Sequence, residues 1–364
     1  MLVSDFDFDL TEDLIAQEAV PRGQSRLLVL HRGSGAVEHS AIAELPTLLS
    51  RGDVLVVNDT RVFAARLLGH RMPSGGVVEC LLLSKIPGPP AARPPDPEPA
   101  RPPRSEIWSA LMHPGQKMKP GARVRFDGAA GVLIAEVVER HFHGRRTIRL
   151  WAEPGRDVDA LVDALGHMPL PPYIKRGDTA LDRERYQTIF ARNRGSVAAP
   201  TAGLHFTPAL MTELAERGVQ RADVTLHVGY GTFKPVRTDI VEAHAVDSED
   251  YEIGQESADA INRALDEGRR IVAVGTTTTR ALEHAAVGGS GRIAAGRGTA
   301  SLFIYPGFSF QIVGALLTNF HLPRSSLLML VCAFAGRERV LAAYREAVSR
   351  RYRFYSYGDA MLIA

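Results

Sequence analysis

Between residues 66 and 151 apolar residues recur in short β-rich runs, VVECLLL, ARVRF, VLIAEVV and TIRLW, separated by Gly-Gly, Pro-Gly, Asp-Gly and His-Gly steps. Runs of this length punctuated by turn dipeptides predict a small antiparallel β-barrel. From Asp157 onward the texture changes to helical periodicity alternating with apolar strands, which predicts an α/β layer around a mixed, partly parallel sheet. Thr207 is placed to cap a helix with Pro208 in its first position, Leu210, Met211 and Leu214 on one face and Gly218 as terminator. Beyond it Ala222, Val224, Leu226 and Val228 alternate with Asp223, Thr225 and His227, so the polar trio shares one face of a strand. A further helix over residues 257–267 ends at Gly268 and feeds a strand over 271–274.

Two more buried-strand patterns, SRLLVL and DVLVVNDTR, lie near the start and match the later α/β region better than the barrel. The predicted topology is therefore an α/β domain built from residues 1–65 and 155–364, with the barrel, residues 66–154, inserted between them. Inside the barrel, residues 85–104 (KIPGPPAARPPDPEPARPPR) carry too much proline for helix or central strand and predict an extended excursion. A chain of 364 residues that is 45% hydrophobic fits two cores better than one.

Composition narrows the class only slightly. No apolar run approaches the roughly 20 residues that cross a bilayer, and the acidic start MLVSDFDFDL lacks the charge of a signal peptide, so a cytoplasmic location is expected. The two cysteines, Cys80 and Cys332, have no metal or disulfide spacing and are expected to be buried apolar residues. A net charge of +2 does not announce a nucleic-acid partner, because phosphate binding depends on local clusters. Such clusters occur at Arg140, Arg145, Arg146 and Arg149, and at Arg345, Arg350, Arg351 and Arg353, although each alone is explained as well by a solvated surface.

Five segments carry candidate chemistry. In SVAAPTAGLHFT (196–207) small residues and His205 precede a helix start, where backbone N–H groups favour a carboxylate, although taken alone the motif is better explained by a helix-entry histidine hydrogen-bonded to its neighbours. His227 stands just before Gly229, Tyr230, Gly231 and Thr232, with a satisfied, half-buried imidazole as the alternative. GTTTTR (275–280) follows an apolar strand, and in open α/β sheets ligands gather at strand carboxyl ends. Four threonines are poor helix formers, so hydrogen bonding at a strand exit is the expected reason for them. In LTNFHLPRSS (317–326) an extended backbone aims Asn319 and His321 to one side; a tight structural turn is the alternative. YRFYSYGD (352–359) interleaves aromatics with Arg353, a pattern suited to stacking on unpaired bases or to a packed terminal segment. No GxxxxGKS/T, HExxH, CxxC or GxSxG motif occurs, and HFH at 141–143 does not by itself suggest a metal.

These motifs, with DFDFDL (5–10), SRLLVL (25–30), VVNDTRVFAARL (56–67), MPLPPYIKR (168–176), LDRERYQT (181–188), TLHVGYGTFKPV (225–236), GTTTTRALE (275–283), LLTNFHLPRSSLLMLV (316–331) and YRFYSYGDAMLI (352–363), span the chain. In them the sequence resembles the S-adenosylmethionine:tRNA ribosyltransferase-isomerase family. Thr11, Tyr230 and Thr279 depart from the family pattern, and GTAS at 298–301 lacks an acidic residue expected nearby.

The resemblance implies transfer and isomerisation of the ribosyl group of S-adenosylmethionine onto 7-aminomethyl-7-deazaguanine in the tRNA anticodon loop. It implies epoxyqueuosine, adenine and methionine as products, a GUN anticodon, no metal and no cofactor beyond the donor itself. Proton transfer and orientation are expected from His205, His227, Arg280 and His321. Donor binding is expected from Thr201, Gly203, Gly229, Gly231, Thr276, Thr277 and Asn319. RNA contacts are expected from Arg176, Tyr186, Arg351, Arg353 and Tyr355, and from the barrel, in a monomer that binds no membrane. A methyltransferase using the same donor and a non-catalytic RNA-binding module are the alternatives; the first would yield S-adenosylhomocysteine and the second would leave the donor unconsumed.

Overall fold

The computed structural model describes residues 1–87, 105–286 and 291–364. The Pro-rich run lies outside the described residues from 88 to 104; its first residues, Lys85 and Ile86, instead complete the strand Val77–Ile86. By contacts the chain divides into one unit of Met1–Arg61 with Leu170–Ala364 and a second of Val62–Pro169. The second unit runs past the change of texture at Asp157 because the helix Val158–Leu165, capped by Asp157, packs on three barrel strands.

The second unit is a closed antiparallel barrel in the order Arg145–Ala152, Ser105–His113, Val77–Ile86, Arg66–Met72, Arg123–Gly128, Gly131–Arg140. Period-two alternation fills its interior with Val78, Cys80, Leu82, Trp108, Phe126 and Leu150, all buried. Both cysteines of the chain, Cys80 here and Cys332 in the other unit, are buried and unpaired; burial pushes each thiol up to about 12.

The first unit holds a nine-stranded sheet in the order Gly296–Ala300, Glu249–Ile253, Gln220–Leu226, Val54–Asn58, Ile271–Val274, Ala315–Asn319, Ala360–Ile363, Arg26–Leu30, Val37–Ala41. The four central strands, from Gln220–Leu226 to Ala315–Asn319, are mutually parallel, and antiparallel pairs flank them. This is a mixed α/β sheet. The strand Arg26–Leu30, from near the start, pairs with Ala360–Ile363 near the end, so both ends of the chain build one layer. Val54–Asn58, Ile271–Val274 and Ala315–Asn319 are buried throughout, as strands covered on both faces must be.

The parallel strands all end on one edge of the sheet, and the segments that follow them collect there. The helix Pro208–Glu216 begins as its sequence predicts, with the Thr207 hydroxyl accepting from Leu210 N–H and Gly218 at positive φ beyond its end. The threonines of GTTTTR do not form a loop: they open the helix Thr276–Ala286. Thr278 and Thr279 donate their hydroxyls to the carbonyls of Val274 and Gly275, four residues back, and are fully buried, so packing overrides their weak helix propensity. Farther along the same helix Glu283 accepts the backbone N–H groups of Gln311, Ile312 and Val313. Among the described residues no helix is long and apolar enough to cross a membrane.

Candidate functional site

At the carboxyl edge of the parallel strands lies a cavity, open to solvent, that spans about 530 Å³ with the solvent at its mouth. Its walls bring together residues far apart in sequence: Tyr173, Thr201, Val228, Phe233, the start of the helix at Gly275, Thr276 and Thr277, the strand end from Thr318 to His321, and Tyr355 with Ser356. Among the described residues, none of the lining side chains is Lys, Arg, Asp or Glu. The site is therefore polar through hydroxyls, amides, one imidazole and a helix N-terminus, and aromatic through Tyr173, Phe233 and Tyr355.

His321 and Asn319 both face this cavity, as their spacing predicts. The His321 ring is held through Nε2 by the Thr318 hydroxyl, 2.9 Å away, and burial pushes its pKa down to about 3. Nδ1 of that ring has no hydrogen-bond partner among the described residues. Asn319 has a different task. Its Nδ2 donates to the carbonyls of Tyr355 at 2.9 Å and Ser356 at 3.4 Å, which fixes the amide orientation and leaves Oδ1 as an acceptor.

That acceptor faces His205. His205 Nε2 lies 3.3 Å from Asn319 Oδ1 and its Nδ1 lies 2.8 Å from the Ser25 hydroxyl. Because Oδ1 only accepts, Nε2 carries the proton and donates, and Nδ1 accepts from Ser25. Burial lowers the His205 pKa to about 4, against the opposing bond to Asn319, so the ring is neutral near pH 7. His205 does not line the cavity; it stands behind Asn319 and ties it to Ser25. Both of its nitrogens are already engaged.

His227 opens elsewhere. Strand alternation points Val228 at the first cavity and turns His227, with Thr225, into another of about 830 Å³ that also contains Asp250, Glu252 and Arg297. Its Nδ1 meets the Thr60 hydroxyl at 2.8 Å. The ring lies flat against Gly195, where an added Cβ would come within 2.6 Å of Cε1, so only glycine fits. Burial lowers its pKa while Asp250, Asp59 and Glu252 oppose the shift.

Arg280 is occupied by structure. Its Nη1 donates to Glu249 at 2.7 Å, Nη2 to the carbonyls of Asp247 and Ala300, and Nε to that of Leu302. Glu249 in turn accepts the Gly229 N–H at 3.0 Å, and burial raises its carboxyl pKa against the pull of Arg280. Arg280 and Gly231 line a cleft of about 550 Å³ that shares Thr232 and Leu327 with the first cavity. Thr201, Thr276, Thr277 and Asn319 of the expected donor-binding set thus meet in one place. Gly203 is packed away from it, with Thr188 Cγ2 2.9 Å from where its Cβ would be.

The expected RNA residues scatter. Tyr186 has no exposed surface and packs edge-on against Tyr357, so it is a core aromatic and not a stacking platform for RNA, a correction to the sequence expectation. Arg176 is locked onto Asp182, whose carboxyl burial tends to raise but which hydrogen bonds from Arg176, Thr179 and Tyr357 hold below its usual range. Tyr355 lines the first cavity, against Tyr173, in place of the surface. Arg351 pairs with Asp13 at 2.6 Å, and Arg353 donates to the carbonyls of Glu18 and Tyr357. Tyr173, Phe233, Thr318 and Ser356 line the cavity without having been singled out. Tyr173 was visible only as the aromatic of MPLPPYIKR, and the hydrogen bond between its hydroxyl and Ser356 crosses 183 residues.

The two buried imidazoles make stability fall with acidity. An unfolded histidine titrates near 6.5, whereas His205 and His321 do so at about 4 and about 3. Between these values the unfolded chain takes up protons that the native state refuses. Stability is therefore full above pH 6.5 and declines as pH falls below it, by about 3 kcal/mol for His205 alone on reaching pH 4. Urea unfolding at a series of pH values checks this: His205→Gln should show a shallower decline than the parent, and an equal slope would count against the buried neutral ring.

Comparison with known proteins fits this geometry into a lineage. The family model described as "Queuosine biosynthesis protein" matches residues 3–363. Curated relatives named S-adenosylmethionine:tRNA ribosyltransferase-isomerase include one from Heliobacterium modesticaldum, 49% identical over 100% of both chains. Another, from Anaeromyxobacter sp., is 52% identical over 100% of this chain and 99% of its own. The crystal structure of S-adenosylmethionine tRNA ribosyltransferase from Thermotoga maritima is 37% identical, covering 99% of this chain and 100% of that one, with a TM-score of 0.53. With its barrel, its mixed sheet and a full-length match, the chain belongs to the S-adenosylmethionine:tRNA ribosyltransferase-isomerase family of queuosine biosynthesis.

Proposed function

We propose that this protein transfers and isomerises the ribosyl group of S-adenosylmethionine onto the aminomethyl nitrogen of 7-aminomethyl-7-deazaguanine in the anticodon loop of tRNA. Epoxyqueuosine forms, and adenine and methionine leave. The observation that carries the reading is the cavity without charged lining side chains, bounded by aromatic faces and by a helix start. A sulfonium is a cation that aromatic faces attract and that a neighbouring Lys, Arg or protonated His would repel. The N-terminus of Thr276–Ala286, with the Thr276 and Thr277 hydroxyls, suits the carboxylate of the same molecule.

The sulfonium acidifies the protons of the adjoining ribose carbon, so one positioned base begins the chemistry. Among the described residues His321 is the imidazole on this cavity wall, and burial keeps it neutral beside a cation. We assign proton transfer to His321 and positioning to His205, which acts through Asn319 on the Tyr355–Ser356 segment. His227, with Asp250 and Glu252, suits the acceptor, whose ammonium must give up a proton before its nitrogen attacks. Val228 and His227 are consecutive and line the two cavities, so one strand separates donor from acceptor chemistry. Arg280 braces the edge of the site through Glu249. We place the enzyme in the cytoplasm, with its tRNA substrate.

Incubation with precursor-bearing tRNA and S-adenosylmethionine, followed by nucleoside digestion and chromatography, tests the reading. Adenine, methionine and epoxyqueuosine are expected in equal amounts. S-Adenosylhomocysteine, or an intact donor beside unaltered RNA, would reject it.

A further inference from the structure

The barrel carries an aromatic side chain that its own fold does not use. Phe142 is 89% exposed, more than any other large hydrophobic residue among those described. It is not on a loose loop. His143 and Gly144 have φ of 52° and 80°, Arg145 N–H returns to the Phe142 carbonyl at 3.1 Å, and His141 N–H bonds the Arg145 carbonyl at 2.9 Å. Two consecutive positive φ values closed by that bond define a tight hairpin turn joining Gly131–Arg140 to Arg145–Ala152.

The base of this turn is fixed by a buried cation. Arg146, 1% exposed, donates Nε to the Met118 carbonyl at 2.7 Å, Nη1 to those of His141 and Arg145, and Nη2 to that of Gly115. It thereby ties the hairpin to the segment 115–118 and gathers exposed Lys117, Lys119, Arg140 and Arg145 around Phe142 at one end of the barrel. Lys117, Lys119 and Arg140 form no ion pair among the described residues. Glu139 lies 3.8 Å from His141 Nε2. Burial first, and then the charge of Arg140, lower the pKa of Arg146, as expected where cations crowd.

A rigidly presented aromatic ring ringed by cations matches an unpaired nucleobase flanked by phosphates: the face stacks on the base and the charges hold the backbone. We propose that the Phe142 hairpin is an RNA-docking surface that stacks one unpaired base of the tRNA, with Lys117, Lys119 and Arg140 on adjoining phosphates. The proposal rests on the tRNA reading above and adds the surface that grips it.

Filter binding of unmodified substrate tRNA to the full chain tests it. Phe142→Ala is expected to weaken binding by about 5- to 150-fold, the range of one base–aromatic stack, and Phe142→Trp to restore it. In steady-state turnover KM for tRNA rises in Phe142→Ala while kcat and KM for S-adenosylmethionine hold. Lys117→Gln and Arg140→Gln each reduce the salt dependence of binding by about one phosphate contact. Phe142 is exposed, so an unchanged melting temperature shows that folding is not at issue. If Phe142→Ala binds tRNA within twofold of the parent, or Phe142→Trp fails to restore binding, the surface is something else; preferential binding to vesicles or to protein would then name it. Parent protein that turns tRNA over with Phe142 irrelevant overturns this inference alone. Phe142-dependent binding without adenine release overturns the functional reading alone and supports the surface.

Discussion

Replacing Arg280 by alanine is expected to lower the unfolding free energy by about 3–5 kcal/mol, the cost of leaving a buried charge without its partner. The side chains of Arg280 and Glu249 are only 9% and 4% exposed, and Arg280 also satisfies three backbone carbonyls from two separate segments. Alanine would strand all four acceptors at once. Glu249→Gln should cost less, because its one amide oxygen can still accept from either the Gly229 N–H or the Arg280 guanidinium, which meet different oxygens of the carboxylate, so one contact is lost where Arg280→Ala loses four. Urea denaturation of both variants, compared with the parent, checks the order. A bound donor should return part of the stability of Arg280→Ala by mass action. Arg280→Ala with parental stability and no turnover would instead make Arg280 a direct participant in the chemistry and undo the bracing role.

The case of Arg280 shows which parts of the molecule sequence reasoning reaches. Ala222, Val224 and Leu226 alternate with polar residues, and the strand Gln220–Leu226 buries those three. The Thr207 and Pro208 pair opens a helix where it should. Such signals are local: period, cap and turn chemistry act within a few residues. The threonines of GTTTTR misled because intrinsic propensity is weak beside burial and beside the backbone bonds that Thr278 and Thr279 make in place. Tyr186 misled for a related reason. An aromatic next to RERYQ looks like an RNA contact, and only the pairing of Asp182 with Arg176 and Tyr357 reveals that this segment folds inward.

The cavity lining was legible in part, through Thr201, Thr276, Thr277, Asn319 and His321, but the division of labour was not. The histidines of the motifs could be named from residue type and position alone, yet the placing of His205 depends on partners 114 and 180 residues distant. His205 meets Asn319 and Ser25 across those separations, and that pair of bonds, invisible in the motif, uses both ring nitrogens. That His227 leaves the first cavity turns on alternation just past the end of Gln220–Leu226, where one residue decides which cavity a side chain enters, Val228 the first and His227 the other.

His321→Ala is accordingly expected to lower kcat/KM for S-adenosylmethionine by about 10²- to 10⁴-fold, the range for loss of a positioned proton-transfer group. His321→Gln keeps an amide that can meet the Thr318 hydroxyl, so it should recover packing but little of the rate. His205→Ala should act through Asn319: a loss of kcat partly rescued by His205→Gln, whose amide N–H can still donate to Oδ1. The pH dependence separates these roles. Because burial holds His321 at about 3, its neutral form dominates throughout the neutral and mildly acidic range, and kcat/KM of the parent should show no acid limb near the ordinary histidine value of 6.5. An acid limb near 6.5 that disappears in His321→Gln would mean that the ring is solvated and ordinary in the working enzyme. Full activity in His321→Ala would move proton transfer off this cavity wall altogether.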